Sequence, residues 1–271
     1  MIDFNKTRQY TLSIRLSTGG FCFTVHNPEI VGEFAYQPYR IDTQKSITAN
    51  LKAAVKEIEL LRHSYKSVNV IVADTNYTLI PKEYYADTHK SDFYQQNFSF
   101  DTANIALLDN VVADEQMVVL FAVENQLYKY ITERYPKASI YASISPLLNF
   151  GFEKSHMASR RYCLAYLRNR ELDFICLEKG SPLFTNTFRY KDTADALYYL
   201  LNCWSILGLS QLEDTLHVIG WPSRNVKKLQ RDAAQFIQNI HVIRPAEEFH
   251  STELARIDEL PFDLQSLIAC E

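Results

Sequence analysis

The stretch from Arg161 to Tyr190, RYCLAYLRNRELDFICLEKGSPLFTNTFRY, constrains the chain more than any other. Leu164 and Tyr166, then Phe174 and Cys176, recur at every second position, the period of a half-buried strand. Asn169-Arg170 marks a first tight turn, because Asn tolerates positive φ. Lys179-Gly180 marks a second, with Gly in the left-handed position and Pro182 opening the next strand at its first residue. Three consecutive antiparallel strands are therefore expected. A helix follows at once, capped by Asp192 or Thr193, with Ala196, Leu197, Leu200, Leu201 and Trp204 inward and Gly208 closing it.

The N-terminal half repeats this plan. Leu12, Ile14 and Leu16, then Phe21, Phe23 and Val25, form two strands around the turn Ser17-Thr18-Gly19-Gly20. Asn27-Pro28 breaks the second strand, and Glu33 to Gln37 reads as a third. Asp42 or Thr43 caps a helix running to about Ser64, and Val68 to Ala73 is an apolar strand covered on both faces. Thr75 to Phe100 is less regular, with Pro81 opening a short helix through Tyr85 and Asp92 capping another. A hairpin about Asp114-Glu115, a helix from Glu124 to Tyr135, a strand from Ser139 to Ser143 and a helix from Ser145 to Phe152 follow. In the second half, Thr215 to Gly220 is a strand and Ser223 caps a helix from Asn225 to about Ile240. His241 to Ile243 is a short strand, and the tail from Thr252 to Cys270 is helical in part, interrupted by Pro261.

Both halves thus read strand-strand-strand-helix-strand-helix. An antiparallel meander joined to helix-connected strands gives a five-stranded mixed sheet with helices on its faces. The fold class is α/β, with two domains, 1–153 and 154–271, divided near Gly151 to Ser159. Two such domains side by side would leave a cleft lined by their hairpins.

Composition narrows the function classes. Lys and Arg number 28 against 32 Asp and Glu, so neither a nucleic-acid footprint nor a polybasic membrane surface is expected. No apolar run reaches the roughly 20 residues of a spanning helix, and MIDFNKTRQY has no signal-peptide core. A cytoplasmic protein without membrane insertion is the expectation. The five cysteines show no C-x-x-C spacing, which favours free thiols in a reducing compartment. Cys163 and Cys176, on neighbouring strands, are the one pair placed to bridge. Tyr and Phe are abundant, as suits a sheet-rich protein; Tyr84-Tyr85 and Phe93-Tyr94 are candidate exposed contact surfaces.

Neither a P-loop, a dinucleotide fingerprint nor a nucleophile elbow occurs. His217 and His241 fall on adjacent strands, but without metal-ligand spacing they read as satisfied core or surface histidines. Asp74 ends a buried strand where a cleft residue of an α/β sheet would sit, and a turn-forming Asp is the simpler reading.

Three phrases carry a family likeness: Leu12-Ser13-Ile14-Arg15-Leu16-Ser17-Thr18-Gly19-Gly20, Gly180-Ser181-Pro182-Leu183-Phe184-Thr185-Asn186, and Leu216-His217-Val218-Ile219-Gly220-Trp221. In this order of elements they resemble the actin-like ATPase superfamily, with its ribonuclease H-like domains. The nearest likeness is to PilM and the cytoplasmic part of GspL, and to an uncharacterised bacterial family with an actin-like ATPase fold. The resemblance implies two actin-like domains and a nucleotide cleft holding ATP with Mg²⁺.

The chain departs from that family at its metal and phosphate positions. Ser13 stands at the first metal-anchoring Asp and Arg15 at the adjacent Gly; Ala165-Tyr166-Leu167-Arg168 replaces the second Asp-x-Gly phrase. Trp221 replaces a glycine beside the adenosine and would crowd a purine. Arg15, Arg168 and Arg170 could neutralise an anion, although arginines near turns are more often solvated. The expectation is therefore a catalytically degenerate protein with no catalytic or metal residues and no cofactor. It would act through an unidentified protein partner, with a homodimer as one form of that contact. The alternative is an ATP-binding or hydrolysing protein using Ser17, Thr18, Gly19 and Gly20, with Asp74 as carboxylate, and Asn169, Arg170 and Gly220 opposite. A third reading is a small-molecule binder in the cleft.

Overall fold

The structure, a computed structural model, describes residues 2–30, 32–73, 76–99, 102–168, 170–249, 257 and 259–269. Asp74 and Asn169 lie outside the described residues. The chain forms two compact units, one built mainly of Met1–Ser145 and one of Pro146–His250 with Ala255–Ala269.

The first unit contains strands β1 (Thr11–Ser17), β2 (Gly20–His26), β3 (Phe34–Tyr39), β4 (Ser67–Val72), β5 (Tyr77–Pro81), β6 (Ile105–Val112), β7 (Met117–Glu124) and β8 (Ala138–Ala142). Its helices are α1 (Ile47–Glu57), α2 (Lys90–Gln95) and α3 (Asn125–Arg134). Five strands pair in the order β3-β2-β1-β4-β8, antiparallel through the meander and parallel from β1 to β4 to β8. Leu12, Ile14 and Leu16 stand opposite Val25, Phe23 and Phe21, and all six are buried. The hairpin needs only Thr18-Gly19 as its loop. Ser17 Oγ donates to Gly20 O at 2.7 Å and accepts from Gly19 N at 3.3 Å.

Between β4 and α3 the first unit carries a second, antiparallel sheet, β5-β7-β6. This corrects the sequence reading of Pro81: it ends a strand instead of opening a helix, and a single 3₁₀ turn, Lys82–Tyr84, follows it. Tyr94 is fully buried under this sheet, with Tyr85 and Phe93 packed around it, so of the four expected surface aromatics only Tyr84 is exposed. Ser46, not Asp42 or Thr43, caps α1, accepting from Ala49 N at 3.1 Å. Asp42 instead closes a local turn through Gln44 N. Asp92 falls inside α2 rather than at its cap.

The second unit follows from α4 (Ile144–Met157), which begins at the end of the first. It comprises β9 (Tyr162–Arg168), β10 (Glu171–Glu178), β11 (Ser181–Arg189), α5 (Thr193–Ile206), β12 (Thr215–Gly220), α6 (Ser223–Ala233), β13 (Asn239–Val242), α7 (Pro245–Glu248) and α8 (Phe262–Ala269). The sheet order β11-β10-β9-β12-β13 repeats that of the first unit strand for strand, including the change from antiparallel to parallel. Lys179 and Gly180 both take positive φ, 50° and 84°, as a two-residue hairpin requires. Asp192 caps α5 through Ala194 N and Asp195 N, and Gly208 follows its end at φ 61°.

Two boundaries move. α6 ends at Ala233, well before Ile240, and Ser223 is its first residue rather than its cap. Pro261 immediately precedes α8, its carbonyl accepting from Leu264 N and Gln265 N, and most of the expected helical tail before it lies outside the described residues. Every residue from Phe262 to Ile268 in that helix is buried.

Candidate functional site

Two places in the fold correspond to where chemistry was expected: the hairpins opening each unit, and the C-terminal ends of the parallel strands in the second. On β1, Ser13 lies opposite Thr24 of β2 and Asn69 of β4. Ser13 and Thr24 are fully buried, and neither hydroxyl has a hydrogen-bond partner among the described residues. Arg15, two residues on, is also buried. Ser17 to Gly20 form the turn beyond them, with Thr18 and Gly19 exposed.

The β9–β10 hairpin carries a charged network that the sequence reading missed. Arg168 and Asp173 are both buried, and their side chains meet in a two-point contact, Nε to Oδ2 at 2.7 Å and Nη2 to Oδ1 at 3.1 Å. Arg168 Nη1 also reaches Glu171 at 2.8 Å, and Thr187 on β11 donates its hydroxyl to Asp173 Oδ1 at 2.5 Å. Burial works against the Arg168 charge, but Asp173 and then Glu171 more than offset it and hold the guanidinium protonated. The expectation that arginines near the turns are solvated is thus wrong for Arg15 and Arg168, because each lies on a strand packed on both faces. Arg170 is the exposed one, at φ 61° in the turn, with its carbonyl accepting from Tyr190 N. A signal for the network was present: a two-residue turn at 169–170 makes Arg168 and Asp173 diagonal neighbours of opposite charge.

Gly220 ends β12 opposite Leu167, so it stands at the same end of the sheet as Arg170. Its φ is 146°, and a Cβ there would lie 2.0 Å from Leu167 O. Glycine is required by this close approach. Beyond Gly220 opens a cavity of about 520 Å³, and the described residues that line it all belong to the second unit. Tyr166, Trp221 and Phe262 supply aromatic wall, and Ile219, Val226, Val242 and Leu260 aliphatic wall. Trp221 was expected to crowd this space; it forms one side of it, and its side chain stays 44% exposed. Among the described residues Lys227 and Arg244 are the charged members of the lining, and Gln265 is buried beside it. A cavity outside the carboxyl ends of parallel strands is the usual place for a ligand in an open α/β sheet.

His217 of β12 and His241 of β13 are register partners, with ring centroids 5.8 Å apart. His217 stacks on Tyr162 at 4.1 Å and pairs through Nδ1 with Cys163 O at 3.2 Å, as a satisfied core histidine does. Cys163 and Cys176 are free thiols, 3.7 Å apart across β9 and β10. Among the described residues no three His, Cys, Asp or Glu side chains are grouped to hold a metal ion. No helix among them is long and apolar enough to cross a membrane.

The two repeated sheets, each a meander continued by helix-connected parallel strands, define an actin-like ATPase fold. Over its whole length the chain is similar to a Bacteroides thetaiotaomicron protein with actin-like ATPase fold and unknown function, at 32% identity, 100% coverage of both chains and a TM-score of 0.86. It is similar in fold to a chain of the PilM–PilN type IV pilus biogenesis complex, at 13% identity, covering 97% of this chain and 99% of that one, with a TM-score of 0.63. The chain belongs to the family described as protein of unknown function (DUF3822), whose model matches residues 1–240. No curated protein matches it in sequence.

Proposed function

We propose that this protein is a catalytically degenerate member of the actin-like class that acts through contacts with a partner protein. The observation carrying this reading is the state of Asp173. It is the buried carboxylate of the second unit's opening hairpin, and both its oxygens are engaged by Arg168, with Thr187 on one of them. Phosphoryl transfer depends on positioning and on metal-borne charge stabilisation, and Mg²⁺ is held through one or two free carboxylates. On β1 and β9 the corresponding positions are Ser13 and Ala165, both fully buried. Neither can supply a carboxylate oxygen.

The contact role draws support from the fold neighbour seen in the PilM–PilN complex. Exposed apolar side chains are available for such contacts, among them Tyr84 in the first unit and Tyr198 and Ile206 on α5. The partner is a second protein or a second copy of the chain; no cofactor is required, and a cytoplasmic setting fits the free buried thiols.

Calorimetric titration with Mg-ATP tests the reading. Absence of heat, together with an unchanged melting temperature, is the expected result. Micromolar binding would overturn it and favour an ATP-dependent protein using Ser17, Thr18, Gly19, Gly20, Arg170 and Gly220, together with Asp74 and Asn169.

A further inference from the structure

Partner docking leaves the thiols in the core of the second unit without a role. The chain has five cysteines in 271 residues, yet three of them, Cys163, Cys176 and Cys203, fall in one buried cluster of that unit. Cys163 of β9 and Cys176 of β10 are direct register partners across antiparallel strands, with their sulfurs 3.7 Å apart. Both are free thiols and fully buried. A free cysteine packs as a small hydrophobe, so what sets it apart from one is its chemistry.

The register suits a bond between them. Directly opposed residues of an antiparallel pair have Cα atoms about 4.5 or 5.5 Å apart, according to whether they exchange hydrogen bonds. Either value lies inside the roughly 4.4–6.8 Å that a disulfide spans. The sulfurs have to approach by about 1.7 Å, from 3.7 Å to a bond of about 2.05 Å. An independent feature on the other side of β10 makes room for this. The ladder from β10 to β11 slips at Cys176: Cys176 faces Phe184 and Leu177 faces Pro182, so Leu183 is left over as a bulge. A bulge interrupts the ladder and lets the strand bend. The sheet therefore has slack at the residue that must move.

We infer that Cys163 and Cys176 form a redox modification site, which a small uncharged hydroperoxide converts to a cross-strand disulfide. Cys163 donates its S–H to Cys176 Sγ, which makes Cys176 the nucleophile of the pair. Cys176 Sγ attacks one oxygen of hydrogen peroxide and the O–O bond breaks. The thiol proton of Cys176 leaves with the other oxygen as water, and Cys176 becomes a sulfenic acid. Cys163 Sγ then attacks that sulfur. The S–O bond breaks, the S–S bond forms, and the Cys163 proton leaves with the hydroxyl as a second water. The two thiols lose two electrons and the peroxide gains them. Burial selects the oxidant, because large or charged reagents are shut out of this core, and it also keeps the reaction slow. The bridge thus answers sustained oxidation, and a dithiol reopens it by exchange.

The test exposes the reduced, folded full chain to hydrogen peroxide, then alkylates the remaining thiols in denaturant before digestion with trypsin. Cys163 and Cys176 fall in separate tryptic peptides, residues 162–168 and 171–179, and Cys203 in a third. The expected result is a linked pair of the first two as the main cross-linked species, growing with time and lost after dithiothreitol. Cys163→Ala and Cys176→Ala should each abolish it. In Cys163→Ala, Cys176 should stop at the sulfenic acid and be trapped by dimedone, whereas Cys176→Ala should leave Cys163 largely unlabelled. The proposal is overturned if both peptides of the folded wild type stay fully alkylated, if the main link runs through Cys203, Cys22 or Cys270, or if the link forms only in urea.

Discussion

Arg168 and Asp173 close the β9–β10 hairpin with a buried two-point ion pair, 2.7 and 3.1 Å long, that engages both oxygens of the carboxylate. Removing one partner of such a pair leaves an uncompensated buried charge, which costs about 3–5 kcal/mol. Glu171 still reaches Arg168 at 2.8 Å, so Asp173→Ala should lower stability by the lower end of that range in urea unfolding. Replacing both, Arg168→Met with Asp173→Leu, should recover most of it. A loss under about 1 kcal/mol in the single variant would mean that water reaches the pair, as at a surface bridge.

Gly220 and Gly208 both take positive φ, but for different reasons. A Cβ on Gly220 would meet Leu167 O, whereas one on Gly208 would meet nothing within 4 Å. Gly208→Ala should therefore cost only the left-handed backbone penalty of about 1–2 kcal/mol. Gly220→Ala adds displacement of a neighbouring strand and should cost roughly 3 kcal/mol or more, the upper end of local strain. Equal costs from chemical denaturation would show that β12 has room to move off β9.

The repeat of elements was legible because it rests on local rules: period-2 strands, two-residue turns at Thr18-Gly19 and Lys179-Gly180, and caps such as Asp192. Where several residues could cap, as with Asp42, Thr43 and Ser46, local rules could not choose, and Ser46 prevailed by its bond to Ala49 N. Strand β5 escaped notice because Pro81 reads as a helix start, although proline is also tolerated at the end of a strand on a sheet edge. The cavity could not be read from sequence at all. It is assembled from β9, β12, α6, the residues after β13, and α8, which are separated by up to about 100 residues and meet only through the sheet order. Gln265 carries no signal until α8 is seen to be buried along its length.

Cys163 and Cys176 are fully buried on adjacent strands. The hydrogen bond that Cys163 donates to Cys176, and then burial, push its thiol up and away from the reactive thiolate. In the folded protein both should resist a colorimetric disulfide reagent, reacting only at the rate of structural opening, and should react promptly in denaturant. Rapid labelling under native conditions would show that the β9–β10 core opens far more readily than its packing implies.

His217 gives the clearest acid dependence. Burial, followed by the nearby His241, holds its pKa down at about 4, against 6.5 for an ordinary histidine, although the contact with Cys163 O acts the other way. The native imidazole is therefore neutral between pH 6.5 and 4, while the unfolded chain takes up a proton across that interval. The unfolded state binds more protons there, so stability rises with pH and is lost on acidification, beginning near 6.5 and levelling off near 4. The full displacement corresponds to at most about 3 kcal/mol. Tyr162 stacked on the ring, and the Lys154–Glu248 pair, are the other ionisable groups around it. Urea midpoints of the wild type and His217→Phe, measured from pH 7 to 4, isolate the effect. Phe keeps the stack on Tyr162 but cannot titrate. The variant should lose markedly less stability than the wild type over the interval, and parallel curves would show that His217 is free to protonate in the folded protein.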